Sequence, residues 1–270
     1  MSDQFSQFEV ARLTGLLRES VIRRAISSLR LPSGSSGLDA GCGVGLQAMM
    51  LAESIGADGH VTGLDQSRDY INHAKSLVTT EGLSNNISFT PGDVRNLPFD
   101  DDYFDWAWSA DCIGYAPFEP LPLLREIVRV VRPGGIIALL AWTHETLLPG
   151  YPLLETHLRA TAAGIAPFTK DSAPALHFLR ALGWYRETGL KGLEVRTFAG
   201  DAHAPLNENE YQALKMLFSM RWPGVESELL PDDRMEYQQL CSPESPDFIL
   251  DSPDYYAFFT YSMFFGTVAK

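Results

Sequence analysis

The stretch Leu38-Asp-Ala-Gly-Cys-Gly-Val-Gly45 and, twenty residues later, Asp65 are the residues of this chain whose types and spacing point most directly to chemistry. Glycines at 41, 43 and 45 permit positive φ and let a ligand approach the backbone where a β-carbon would block it. An aspartate closing the next apolar run, Val61-Thr-Gly-Leu-Asp65, is placed to accept both hydroxyls of a ribose, as in doubly wound nucleotide-binding folds. Together they describe a cradle for a nucleoside-bearing cofactor.

The spacing narrows which cofactor. A dinucleotide fingerprint needs a small residue at the third position of G-x-G-x-x-G, so that helix and strand pack closely under a pyrophosphate. Counting from Gly41 and Gly43, that position is Leu46. Asp39 precedes the glycines and would repel a pyrophosphate beside it. A cofactor that has a ribose and a positive group but no phosphate suits the loop better, and S-adenosylmethionine fits that description. Methyl transfer from a sulfonium requires in-line alignment, and a base only when the acceptor must lose a proton. No residue is therefore forced to be catalytic. His144 and Tyr115 are the polar residues expected near the carboxyl edge of the sheet, as substrate-side candidates. Cys42 lies where the turn needs a small side chain and is read as packing, since no activating partner accompanies it. His157 and His177 lie in helical patterns and are read as surface residues.

The elements that must position these residues alternate. Apolar residues recur at helical spacing from Phe5 to Leu29, giving one or two amphipathic helices that end before Pro32. Strands are expected at Gly37–Asp39, His60–Leu64, Ile87–Pro91, Phe104–Ser109 and Ile136–Trp142. Helices are expected at Gly45–Ile55, Ser67–Thr80 with Ser67 as N-cap, and Leu121–Val131. This alternation, with strands too apolar for one-sided exposure, predicts a parallel sheet covered on both faces. Beyond Trp142 the regularity breaks. Helical stretches are expected near Leu153–Ala163 and Ala173–Leu182, a strand at Gly192–Phe198, a helical region from Asn207 to Leu240 broken at Trp222-Pro-Gly224, and a buried strand at Met263–Val268.

At 270 residues, with 45% hydrophobic residues, the chain can bury a substantial core. A formal net charge of −13 disfavours nucleic acid and anionic membranes as main partners. Cys42, Cys112 and Cys241 form neither a disulfide framework nor a metal-ligand spacing, so no metal is expected and a reducing cytoplasm fits best. No secretory leader pattern opens the chain, and the longest apolar run is too short to cross a bilayer.

Several ordered motifs then agree. Asp39-Ala-Gly-Cys-Gly-Val-Gly45, Asp65-Gln66-Ser67, Gly92-Asp93-Val94, Phe104-Asp-Trp-Ala-Trp-Ser109 and Arg132-Pro-Gly-Gly135 occur in the sequence order of the class I S-adenosylmethionine-dependent methyltransferases. The stretch from Gly37 to Trp142 resembles that family, and most of all its ubiquinone/menaquinone C-methyltransferase-like group. The resemblance implies that Asp39, Gly41, Cys42, Gly43 and Gln47 surround the methionine part of the cofactor. It implies that Asp65 and Gln66 bind the ribose and adenine side, that Asp93 and Val94 contact adenine, and that Ser109, Ala110 and Asp111 lie beside the cofactor. Many members carry a histidine shortly after the fourth strand, where this chain has Tyr115.

The expected architecture is therefore α/β: a doubly wound, Rossmann-like sheet of seven mostly parallel strands, the last antiparallel, with N-terminal helices and a helical cap insertion. Its parts are an N-terminal helical lid over residues 1–35, a core over 36–200, a cap over 201–254 and a final core strand over 255–270. Phe218, Met220, Trp222, Tyr237, Tyr255, Tyr256, Phe258 and Phe259 are expected to be core or to line an apolar pocket for a hydrophobic or aromatic small-molecule acceptor. Three other readings stay open. A nicotinamide-dependent oxidoreductase is disfavoured by Leu46 and Asp39, and a methyltransferase of RNA or protein by the net charge and the lack of a basic stripe. The third is a non-catalytic S-adenosylmethionine-binding protein.

Overall fold

The computed structural model describes residues 6–83, 85–114 and 119–269. Its elements in chain order are α1 (Gln7–Leu29), β1 (Ser36–Ala40), α2 (Leu46–Ile55), β2 (His60–Asp65), α3 (Arg68–Thr80), β3 (Ile87–Pro91), β4 (Phe104–Ala110), α4 (Pro120–Val130) and β5 (Val131–Thr146). They continue with α5 (Pro152–Arg159), α6 (Ala162–Ile165), α7 (Ala181–Glu187), β6 (Lys191–His203), α8 (Glu208–Arg221), α9 (Pro231–Cys241) and β7 (Tyr256–Thr267).

The strands form one seven-stranded sheet in the order β3-β2-β1-β4-β5-β7-β6. β1 pairs in parallel with β2 and β4, and β2 with β3 and β4 with β5 likewise. β7 is the antiparallel strand, as the sequence led us to expect. Beyond its end, Gly134 donates its N–H to the Val268 carbonyl and Val268 donates back to Gly135. The chain runs outward from β1 in both directions, so the strand order reverses between β1 and β4. Right-handed crossovers then place α2 and α3 on one face and α4 on the other.

The chain divides into two compact units. The sheet unit comprises residues 21–143, 173–198 and 261–270, and the helical unit comprises residues 1–20, 144–172 and 199–260. In the sheet unit, Leu123, Leu124, Ile127 and Val130 of α4 pack with Leu38, Phe104, Ala107 and Ile137 of the strands and with Trp184 and Tyr185 of α7. In the helical unit, Leu154 and Leu158 of α5 share a core with Leu214 and Phe218 of α8, Leu240 of α9, and Trp222, Phe248 and Tyr255.

Several boundaries depart from the sequence expectation. α1 is a single helix, the simpler of the two forms expected, stopped before Pro32 at Arg30, whose φ of 52° takes the left-handed value usual just past a helix end. The helix expected over 173–182 runs instead from Ala181 to Glu187. Two short 3₁₀ turns, the second capped by the His177 ring accepting from the Leu179 N–H, occupy the expected start. β5 begins at Val131 because Arg132-Pro-Gly-Gly135 forms a bulge within the strand: the register steps from Phe104 opposite Val131 to Trp106 opposite Ile136. β7 starts at Tyr256, earlier than Met263, because its first residues carry an alternating aromatic pattern of a different burial sense from its later ones. Ser67 caps α3 as expected, its hydroxyl accepting from the Tyr70 N–H at 3.3 Å.

Candidate active site

The carboxyl ends of β1 and β4 flank the point where the strand order reverses, the place where open α/β sheets bind ligands. A cavity of about 250 Å³ lies there. It is lined by Gly41 after β1, Asp65 and Gln66 after β2, Gly92 to Arg95 after β3, Asp111 and Cys112 after β4, and Leu123 of α4. Gly41, Asp65, Gln66, Asp93 and Val94, all expected from sequence, are thus brought together.

The glycine turn is held by β2. The Gly41 and Cys42 amides both donate to the Leu64 carbonyl, at 2.8 and 3.0 Å. Gly43 donates to Asp65 Oδ2 at 3.0 Å, and Ser67 donates to Asp65 Oδ1 at 2.8 Å. Asp65 therefore has an internal role that sequence reasoning missed: it ties the turn to the start of α3. Each of its oxygens keeps a lone pair for a further donor, such as a ribose hydroxyl. Gly43 has a φ of 53° and nothing within 4 Å of where a β-carbon would stand, so the turn presents bare backbone to open space.

Asp39 is only 2% exposed, and its Oδ2 has no hydrogen-bond partner. Burial, and next the charge of Asp65, push its carboxyl up to about 7. An unsatisfied buried carboxylate oxygen costs about 1–3 kcal/mol or more, so a fold that keeps one needs a reason for it. A cationic donor arriving from the ligand side would supply both the hydrogen bond and the charge. A phosphate would make the cost worse.

Asp93 is gripped by Arg95. The guanidinium donates from Nε to both carboxylate oxygens, at 3.0 and 2.9 Å, and from a terminal nitrogen to Oδ2 at 2.6 Å. These bonds hold the Asp93 carboxyl below its ordinary value. The Arg95 backbone N–H also donates to Oδ1 at 2.9 Å, so each oxygen already accepts twice and an adenine amino group would share or displace one of these bonds.

Other expected residues stand behind the wall. Ser109 is buried and donates to the Ala40 carbonyl at 2.8 Å, a strut between β1 and β4. Ala110 is buried beside it. Gln47, on α2, accepts at Oε1 from the Trp108 indole at 2.7 Å. Cys42 is buried, and burial followed by the charges of Asp39 and Asp65 raises its thiol well above the ordinary range, which fits packing rather than reactivity. Cys112, absent from the sequence expectation, lines the cavity, with burial pushing its thiol up to about 11.

His144 is exposed on β5, its ring 6.2 Å from that of Phe258, and is not among the cavity-lining residues. Tyr115 lies outside the described residues. His157 pairs with Asp233 at 2.8 Å in the helical unit. Among the residues expected to be core or to line an apolar pocket, Phe218, Trp222 and Tyr255 are core, whereas Met220 and Tyr256 are exposed. No group of three or more potential metal ligands occurs among the described residues. No helix among them is long and apolar enough to cross a membrane.

Residues 38–135 match the family model of a methyltransferase domain. Methyltransferase GfsG of Streptomyces halstedii is 36% identical over 121 residues, 45% of this chain and 42% of that protein. A demethylmenaquinone methyltransferase of Staphylococcus epidermidis is 35% identical over 133 residues, 49% of this chain and 52% of that protein. The chain thus spans about half the length of the curated relatives it matches. Among solved structures, a SAM-dependent methyltransferase from Aquifex aeolicus superposes with a TM-score of 0.51 at 16% identity, covering 96% of this chain and 99% of that one. That likeness concerns the fold.

Proposed function

We propose that this chain, whose residues 38–135 are a methyltransferase domain of the class I, menaquinone-methyltransferase type, transfers a methyl group from S-adenosylmethionine to a small organic acceptor. The observation that carries the reading is the buried Oδ2 of Asp39, just before the glycine turn, which has no hydrogen-bond partner, while Gly43 presents bare backbone with nothing within 4 Å of where a β-carbon would stand. The residues fit the cofactor. The turn at Gly41–Gly43 would hold its methionine part, Asp65 its ribose hydroxyls, and Asp93 with Val94 its adenine. When bound, the cofactor supplies an electrophilic methyl group on a positively charged sulfur. The protein's part is to exclude phosphate-bearing competitors through Asp39 and Asp65 and to fix the donor for in-line attack.

The acceptor is proposed to be a hydrophobic or aromatic small molecule, with reduced naphthoquinones as the first class to try, since demethylmenaquinone methyltransferases are among the relatives. Residues that choose the acceptor would come from outside the matched domain, including the N-terminal segment 1–35 as a lid and the insertion 201–254. His144 and Tyr115 are the first positions to vary. A reducing cytoplasmic setting accords with three free thiols.

The test has two stages. Calorimetry with S-adenosylhomocysteine, NADH and NADPH should show binding of the first alone. Transfer of label from methyl-labelled S-adenosylmethionine to a panel that includes a short-chain demethylmenaquinol should then give labelled product. Binding of a nicotinamide cofactor in place of S-adenosylhomocysteine would return the oxidoreductase reading. Tight cofactor binding without transfer to any panel member would favour a binding protein.

A further inference from the structure

We infer that the sheet edge formed by β6 is a docking surface for a second copy of this chain, joined strand to strand about Val195. β6 is the last strand in the order β3-β2-β1-β4-β5-β7-β6, and its residues 191–198 belong to the sheet unit. The outward N–H and C=O groups of an edge strand are a template for another strand unless the fold blunts them. The two edges of this sheet differ in that respect. β3 is five residues long and ends in Pro91, which has no N–H to offer. β6 runs for thirteen residues, from Lys191 to His203, without a proline, and most of its residues are exposed.

Side chains along a strand alternate between its two faces. Glu194 and Arg196 share one face. The Arg196 guanidinium lies over the Phe265 ring at 4.6 Å, donates to the Ser28 carbonyl at 2.6 Å, and meets Glu194 at 2.8 Å. A cavity of about 720 Å³ opens beside this pair, with Arg24, Ser27 and Arg30 on its wall, so side chains of an incoming strand have room there. Val195 points to the other face. It is 44% exposed, beside Leu193, which packs on the core of the sheet unit.

This pattern is complementary to itself. An antiparallel second copy, related by a twofold axis through Val195, sets Glu194 of each copy opposite Arg196 of the other. The ion pair made within each strand is then made across the joint, and Val195 covers Val195, taking exposed apolar surface out of water. Moving the axis one residue, to Glu194 or to Arg196, would set like charges face to face. The charges therefore fix the register at Val195. One patch serves both copies, as a twofold contact requires. The net charge of −13 on each copy opposes their approach, which places the joint among weak, concentration-dependent contacts. The cofactor cavity is lined from the segments after β1 to β4 and from α4, so the joint leaves it open.

The experiment is sedimentation equilibrium on the full chain from about 1 to about 300 µM, with the fold of each variant checked by its urea midpoint. The native mass should rise from one chain toward two. Val195→Lys places two like charges on the axis and should weaken the dimer at least about tenfold, as should Val195→Glu. Mixed in equal amounts, these two variants should pair with each other, because only a residue on the axis faces its own counterpart. Glu194→Arg, which sets guanidinium against guanidinium across the joint, should weaken the dimer by a similar factor. A native chain that keeps the mass of one chain throughout, or a dimer that survives Val195→Lys within twofold, overturns the inference. Variants that are monomeric alone and stay monomeric when mixed overturn the pairing about Val195. The readout is mass, so its result and the cofactor's binding stand or fall separately.

Discussion

Asp39 in the sheet unit and Glu155 in the helical unit are both buried carboxylates, 2% and 5% exposed, and the fold treats them in opposite ways. Glu155 accepts from the Leu147 and Leu148 amides at 2.6 and 3.1 Å and faces Arg159 at 3.5 Å. Its neighbour Glu145, likewise buried, meets Arg221 at 2.5 Å, and the other nitrogens of Arg221 reach the Ala163 and Gly164 carbonyls. Asp39 has one oxygen with no partner, and burial raises its affinity for a proton. A carboxylate that a fold uses for its own architecture is satisfied within the fold. One left short of a donor at a ligand-binding edge marks where a ligand completes the structure.

The contrast can be broken most severely at Arg221. Arg221→Ala would remove the guanidinium that meets the buried Glu145, and should cost about 3–5 kcal/mol, read as a lowered urea midpoint. Replacing both partners by apolar residues of similar size should cost much less. If Arg221→Ala alone changes the midpoint little, the helical unit's carboxylates are not the self-contained group described.

Asp39→Asn should do the reverse, and its effect depends on pH. The native carboxyl, pushed up to about 7, lies above the ordinary value of 3.8, so the folded protein holds a proton that the unfolded chain releases between those values. Stability from this group is complete below about pH 4 and is lost as pH rises through 7. The amide variant lacks the penalty, so at pH 8 it should be more stable than the native protein by about 2–4 kcal/mol, the difference vanishing toward pH 4. Paired urea titrations at the two pH values measure it. The same variant should bind S-adenosylmethionine more weakly, separating the group's cost to folding from its use in binding.

Asp65→Ala tests a carboxylate with both roles. It should weaken S-adenosylhomocysteine binding by about 1–3 kcal/mol in calorimetry, since the ribose hydroxyls lose a charged acceptor and Gly43 and Ser67 lose theirs. Unchanged affinity would move the ribose site elsewhere. Ser109→Ala should have the smallest effect, about 1 kcal/mol of stability for a neutral strut to Ala40, again by urea titration.

How much of this was legible in the sequence follows from the range of the forces involved. β3 was read to the residue, and Ser67 was correctly placed as a cap, because apolar runs and turn residues act locally. The turn at Gly41–Gly45 with Asp65 was likewise legible, since strand–helix alternation fixes which ends meet. Glu145 and Arg221 lie far apart in the chain, as do Asp111 and Tyr261, and no local pattern announces either pairing. Nor could spacing reveal that Asp39 lacks a donor, a property of everything packed around it. α7 was misplaced because the apolar spacing of residues 173–182 is helical, yet Pro174 and the His177 cap hold that stretch in short 3₁₀ turns. The acceptor side was least legible, because it depends on side chains gathered from distant segments.

A cradle built for a phosphate-free nucleoside cofactor with a positive charge has a signature that calorimetry on the native chain at pH 6 would read. S-adenosylmethionine should bind and release close to one proton as Asp39 ionises, seen as a dependence of the heat on the buffer's ionisation enthalpy, while NADPH gives no binding heat. Binding of NADPH, or S-adenosylmethionine binding with no proton released, would contradict the account.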